Sequence, residues 1–122
     1  MNPLKVLVID DEKVIGNACQ MVLGERGHEV THCLTAGEGL HAIEHHAHDL
    51  ILLDMKLPDI DGSLILKRIR ETSNPSTVIV MTGYSTMANA VEAMKLGAVD
   101  YLSKPFTEDE LLKAIQERFP NI

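Results

Sequence analysis

Five times along this chain, a short run of β-branched and aliphatic residues gives way to a segment with helical spacing, and the connections between them are short. Parallel neighbours cannot be joined by a tight hairpin, so each strand must return through a crossover, and the helical segments supply it. Regular alternation of this kind specifies a parallel sheet covered by helices on both faces, with right-handed crossovers. Strand order cannot be read from periodicity. The 122 residues suit one domain and one core, and no linker, repeat or low-complexity tract interrupts them.

The first strand is read at Lys5 to Ile9. Ile15, Ala18, Cys19, Val22 and Leu23 then recur at helical spacing within Val14 to Arg26, and Gly27 stops that helix. Glu29 to Leu34 is a weaker strand; Thr35 and Glu38 form a capping box that opens a helix reaching about His46. Leu50 to Leu53 reads as a strand buried on both faces, and Asp61 caps a helix with Leu64, Ile65 and Ile69 inward. Thr77 to Met81 is the fourth strand, Thr86 to Leu96 the fourth helix and Ala98 to Leu102 the fifth strand. A second capping box, Thr107 to Glu110, begins the last helix, whose stripe is Leu111, Leu112, Ile115 and Phe119.

In an open parallel sheet the C-terminal strand ends share one edge, and ligands bind there. The residues delivered to that edge are Asp10, Asp11 and Glu12 from the first strand, Asp54 from the third, Thr82 from the fourth and Lys104 after the fifth. Clustered carboxylates raise one another's pKa unless a cation intervenes. An all-oxygen donor set without His or Cys suits Mg²⁺. A carboxylate is also a competent nucleophile toward phosphorus, and phosphoryl transfer asks mainly for positioning and charge neutralisation. Pro58 and Gly62 turn the chain after Asp54, whose bland alternative is a turn cap.

These residues carry a family likeness. Asp10-Asp11, Asp54 with Leu57-Pro58 and Gly62, Thr82-Gly83 and Lys104-Pro105 together resemble the receiver domain of two-component response regulators, over essentially the whole chain. The runs Met81 to Tyr84 and Ala93 to Phe106 are most similar to receivers of nitrogen-regulation and dicarboxylate-transport type activators. The resemblance implies a flavodoxin-like α/β fold with strand order 2-1-3-4-5 and a cis Lys104-Pro105 bond. It implies that Asp54 accepts a phosphoryl group from a sensor histidine kinase. Asp11 and Asp54 would ligate Mg²⁺ with the backbone carbonyl of Lys56, and Asp10 would act through a metal-bound water. Lys104 would pair with Asp54 at rest and with the phosphoryl group afterwards. Thr82 would bond a phosphoryl oxygen, and Tyr101 would turn into the space it vacates. The surface of the fourth helix, fifth strand and fifth helix would then signal to an output domain or partner, with a phosphorylation-dependent dimer as one form. The role is a phosphoacceptor switch, with at most self-phosphorylation and autodephosphorylation.

Composition sets the remaining bounds. A net charge of -7 argues against nucleic-acid binding through this domain, which would need a basic face. The longest apolar runs are far below the ~20 residues of a membrane span, and the N-terminus has no signal-peptide pattern. Cys19 and Cys33 both lie in apolar patterns and read as packed thiols in a reduced, cytoplasmic setting. The chain reads as one domain over 1–122, either a single-domain regulator or the N-terminal piece of a longer protein. The subfamily likeness favours the longer protein, with ATPase and DNA-binding output.

Two rival readings fail on the first strand. An aspartyl-phosphate phosphatase would space its acids Asp-x-Asp and carry a cap domain. A flavin domain would not place Asp10-Asp11-Glu12 where a phosphate must sit. His41 and His45 stand one helical turn apart but lack a third ligand, so a solvated helix face is expected. Met87 and Met94, seven residues apart in the fourth helix, are read as core by default, with a partner surface as the alternative. The Lys56 side chain is either a solvated lysine or, with Tyr84, a cover over the site mouth that limits water's access to an acyl phosphate.

Overall fold

How the five apolar runs become strands of one sheet is visible in the computed structural model, which describes residues 3–72, 76–83 and 87–121. The elements are β1 (Lys5–Ile9), α1 (Lys13–Gly24), β2 (Glu29–Cys33), α2 (Ala36–His45) and β3 (Leu50–Asp54), then α3 (Gly62–Arg70), β4 (Thr77–Thr82), α4 (Met87–Lys95), β5 (Asp100–Ser103) and α5 (Glu108–Arg118). All strand pairs are parallel, in the order β2-β1-β3-β4-β5. That order puts the most apolar strand, β3, at the centre, where all five of its residues are buried. The expected 2-1-3-4-5 arrangement is therefore the observed one.

The twofold alternation of strand side chains sorts the core into two layers. Val6, Val8, Leu50, Leu52, Ile79, Met81 and Leu102 pack against α1 and α5. Leu7, Ile9, Ile51, Leu53, Val78 and Val80 pack against α2, α3 and α4. A strand covered on both faces needs apolar residues at every position, which is why Leu50 to Leu53 reads as a continuous run.

Helix starts follow local chemistry. Thr107 and Glu110 form the full reciprocal box at α5. At α2 the box is half made: Thr35 Oγ1 accepts from Glu38 N at 3.1 Å, and its hydroxyl donates to Glu38 Oε1. Asp59, from the loop after β3, caps the same helix by accepting from Ala36 N and Gly37 N at 3.1 and 3.0 Å. Those two backbone donors hold the Asp59 carboxyl below its ordinary value. Gly27 and Gly97 take positive φ (88° and 113°) at the ends of the α1 and α4 turns, where an L side chain would be strained.

Several inward assignments change. Ala18 is exposed on α1, and Gly16 takes the buried place beside Cys19 and Leu23. On α3, Leu64 faces solvent and Leu66 is buried with Ile65 and Ile69. Met87 and Met94, read as core, are exposed at 82% and 45%, with Val91 between them. The single buried residue of α4 is Ala93, so that helix rests on the sheet by one narrow line, and apolar content alone does not reveal it. Thr86, the expected start of α4, lies outside the described residues.

Candidate functional site

Backbone bonds build the site before any side chain enters it. Beyond the last β1–β2 pair, Ile9 with Cys33, Asp10 N donates to Cys33 O at 3.1 Å. Asp10 Oδ1 accepts from Glu12 N at 2.8 Å, which folds the acid run back over the strand end. Ile9 pairs with Leu53, so Asp10 and Asp54 leave adjacent strands side by side. Asp54 Oδ1 accepts from Lys56 N at 2.9 Å. Thr82 pairs with Ser103, and Lys104 N donates to Thr82 O at 2.9 Å just before the cis Lys104-Pro105 bond.

Side-chain alternation then assigns the faces. Asp10, Asp54 and Lys104 continue the even-numbered positions that point toward α1 and α5, and they meet. Lys104 Nζ stands 2.6 Å from Asp10 Oδ2, 2.9 Å from Glu12 Oε1 and 3.2 Å from Asp54 Oδ2. Asp10 is fully buried, Asp54 is 4% exposed, and Glu12 and Asp11 are at the surface. The ammonium thus serves three carboxylates, and its contact with Asp54 is the longest of the three. Glu12 belongs to this cluster. In the sequence it was visible only as the third acid of Asp10-Asp11-Glu12, with no role attached.

Burial pushes the Asp10 carboxyl above its ordinary value, against the opposing pull of Lys104 and Glu12 N–H. Burial works against the Lys104 ammonium, yet Asp10 and Glu12 raise it well above the usual lysine range, so it is a fixed positive charge. One oxygen remains over: Asp10 Oδ2 is buried and, although ion-paired, lacks a partner in hydrogen-bond geometry. Ligand atoms of Asp10, Asp11, Glu12 and Asp54 come within 4.8 Å of one another, the only such group among the described residues. Four hard oxygen donors, the buried Asp10 carboxylate among them, fit a divalent cation such as Mg²⁺.

Thr82 and Tyr101 point the other way. Thr82 is buried, and Tyr101 is half-buried against the layer under α4; both line a cavity of about 100 Å³ with Lys56, Ser63, Asn89 and Glu92. Val80 pairs with Tyr101, so Tyr101 and Thr82 are diagonal neighbours on that face. Burial raises the Tyr101 phenol. Tyr84, expected beside Lys56, lies outside the described residues.

Other candidates do not assemble. His41 and His45 stack at 4.1 Å, and His45 Nδ1 lies 2.8 Å from the His41 carbonyl oxygen, an arrangement of a helix face. A larger groove, about 490 Å³, lies between His45, His48, Glu71 and Ser76 and includes none of the strand-end acids. Cys19 and Cys33 are buried free thiols, and burial, helped by the Asp10 charge, pushes Cys19 up to about 12. No helix among the described residues is long and apolar enough to cross a membrane.

Comparison with known proteins agrees with this geometry. The response regulator receiver domain family matches residues 6–116. The transcriptional regulatory protein DltR of Streptococcus agalactiae is 39% identical over 115 residues, 94% of this chain and 51% of that protein. Regulatory protein AtoC of Escherichia coli, of the type the sequence resemblance pointed to, is 36% identical over 113 residues, 92% of this chain and 24% of its own length. The chain spans about half the length of the first curated relatives it matches. A response regulator receiver domain protein (CheY-like) from Methanospirillum hungatei superposes with a TM-score of 0.90 at 34% identity, over 98% of this chain and 95% of that one. The receiver domain of sensor histidine kinase PA1611 from Pseudomonas aeruginosa, with a magnesium ion coordinated in its active site cleft, gives 0.84 at 26% identity, over 95% and 97%. With the sheet order, the strand-end acids and the lysine all in place, the chain belongs to the receiver-domain family of two-component response regulators, and its work is phosphorelay signalling.

Proposed function

We propose that Asp54 is the phosphoacceptor of this receiver and that Asp10, Asp11, Asp54 and the Lys56 carbonyl hold Mg²⁺ beside it. The observation that carries the reading is Lys104 Nζ within 3.2 Å of both Asp10 and Asp54, in a group of four acids whose ligand oxygens come within 4.8 Å of one another. A magnesium ion coordinated in the cleft of the Pseudomonas aeruginosa relative supports the choice of cation. When bound, Mg²⁺ supplies positive charge that offsets the phosphoryl oxygens and the clustered acids.

The remaining steps belong to the chain. Asp54 presents a carboxylate oxygen at the sheet edge, its other oxygen steadied by Lys56 N–H. It attacks phosphorus, and the bond from phosphorus to the imidazole of a sensor kinase breaks with its electron pair going to nitrogen. Lys104 exchanges a carboxylate for a phosphoryl oxygen. Thr82 donates its hydroxyl to another, and Tyr101 follows into the cavity both residues line. The added charge of roughly -2 is satisfied only in the closed arrangement. Carrying the domain from mostly inactive to mostly active takes ~5 kcal/mol of differential interaction, within reach of two charge-assisted contacts.

The output surface is α4, β5 and α5, where Met87, Val91 and Met94 expose an apolar line. It faces an output domain, a downstream protein or a second phosphorylated copy in the cytoplasm. The chain acts as one receiver domain over 1–122, by itself or as part of a longer transcriptional regulator, with no turnover beyond its own phosphorylation and dephosphorylation. The test is labelling with a small acyl phosphate, and beryllofluoride binding, with and without Mg²⁺, on the native protein and Asp54→Asn. Label that survives either the substitution or removal of the metal rejects the reading.

A further inference from the structure

Asp11 is exposed, so packing does not aim it, yet the proposed cation needs its carboxylate in one place. What fixes its backbone comes from the edge strand. His32, on β2, lies with Nε2 2.8 Å from the carbonyl oxygen of Asp10. A carbonyl only accepts, so Nε2 carries the proton and donates. With Asp10 N donating to Cys33 O, both main-chain polar groups of Asp10 are tied to consecutive residues of β2. The Asp10 carbonyl and the Asp11 nitrogen share one planar peptide unit. Holding that carbonyl therefore sets the direction in which Asp11 leaves the strand. The helix beside it is shaped to allow this: a Cβ at Gly16 would fall on the His32 ring, against Cε1, Nδ1 and Cγ. A half-buried imidazole, a glycine that makes room for it and a strand-end carbonyl form one device.

We propose that His32 is a positioning residue for the metal-binding acids: its ring N–H holds the peptide between Asp10 and Asp11 and so presets Asp11 for the divalent cation. The inference rests on the reading of the acid pocket given above. The plain alternative is a ring that only pins β2 to α1.

Two variants separate these roles. His32→Phe keeps a ring over Gly16 and removes the donor; His32→Gln keeps a side-chain N–H. Calorimetric titration with Mg²⁺ alone should show Kd about tenfold weaker for the Phe protein and within about twofold of native for the Gln protein, the low end of losses seen when a group orienting metal ligands is removed. In metal-free protein, the ¹³C resonance of the Asp10 carbonyl should move in the Phe variant in the direction of a lost hydrogen bond, and the melting temperature should change little. Phosphorylation by a small phosphodonor should need more Mg²⁺ and reach the native rate at saturation. A purely structural pin predicts the reverse, a lower melting temperature with an unchanged Kd, and that result overturns the proposal. Equal weakening by Gln and Phe overturns it too. If the Phe protein folds poorly, His32→Ala, which leaves Gly16 unobstructed, replaces it under the same criteria. The controls divide the failures. A native protein that does not bind Mg²⁺ ends the metal reading and this proposal together, whereas native binding lost in Asp11→Asn but intact in His32→Phe ends this proposal alone.

Discussion

Replacing Lys104 by Met tests the site's electrostatics more directly than replacing any of its acids. Lys104 is 10% exposed at its side chain, and the Asp10 and Asp54 side chains are 0% and 6% exposed, so two of its three ion pairs are shielded from water. Glu12, at 58%, is at the surface, and its pair adds only a few tenths of a kcal/mol. Met fills most of the lysine's volume, which leaves the loss of charge as the main change. Removing one partner of a buried pair leaves an uncompensated charge and costs roughly 3–5 kcal/mol. For a domain of this size that is a fall in melting temperature of about 10–20 °C. The pH dependence has a definite sign. Burial already raises Asp10, and without the ammonium it rises further. An acid whose folded pKa lies above its unfolded value contributes stability at pH below the unfolded value and loses it as pH climbs through the folded one. The deficit of the Lys104→Met protein should therefore be greater at about pH 8 than at about pH 5, because acidification favours the protonated form of the buried Asp10. Mg²⁺ should recover part of the loss at about pH 8, since it binds the folded acids and not the unfolded chain. Calorimetric melting with chelator and with Mg²⁺, at both pH values, reads all of this. A melting temperature that is unchanged at the higher pH, or a deficit that grows on acidification, refutes the reasoning.

His28 and Gly62 give two further outcomes. His28 Nδ1 accepts from Leu4 N at 2.9 Å, and burial followed by the Arg26 charge lowers its pKa. Its stabilisation is present above the unfolded pKa and fades as pH falls below about 6.5, by ~1 kcal/mol for the lost hydrogen bond. His28→Asn should flatten that part of the stability–pH curve measured by urea unfolding, with the contribution of His48 left in place; an unaltered slope contradicts the assignment. At Gly62 a Cβ would meet Met55 Cα at 2.7 Å, and backbone cannot step aside as a side-chain tip can. Gly62→Ala should cost about 1–3 kcal/mol and weaken Mg²⁺ binding by displacing the turn after Asp54, and a variant with native stability and native Kd would show that the loop yields freely.

Much of this was legible because local chemistry and global fold agree. The alternation of periods two and 3.6 specifies the parallel sheet, and the unbroken Leu50 to Leu53 run marks its centre, since only a strand covered twice needs no polar residue. Asp10, Asp54, Thr82 and Lys104 were identifiable as strand-end residues from their positions after apolar runs. Other features depend on neighbours distant in the chain. Met87, Met94 and Leu64 have core-like side chains, yet they lie on the faces of α4 and α3 that the sheet leaves in water. Glu12, His28 and His32 gain their roles from Lys104, Leu4 and Asp10, contacts that no local spacing encodes.

What the sequence alone determined, then, is which residues arrive at the C-terminal edge, because strand length and side-chain period are local properties. What the tertiary structure decided is how they divide there. Strand order places Asp10 beside Asp54, and register sends Asp10, Asp54 and Lys104 to one face and Thr82 and Tyr101 to the other. That division sets the charged cluster at Lys104 on one side of the strand ends and the cavity near α4 on the other, and it follows from hydrogen-bonded pairing between segments as distant in the chain as Val6 and Leu50.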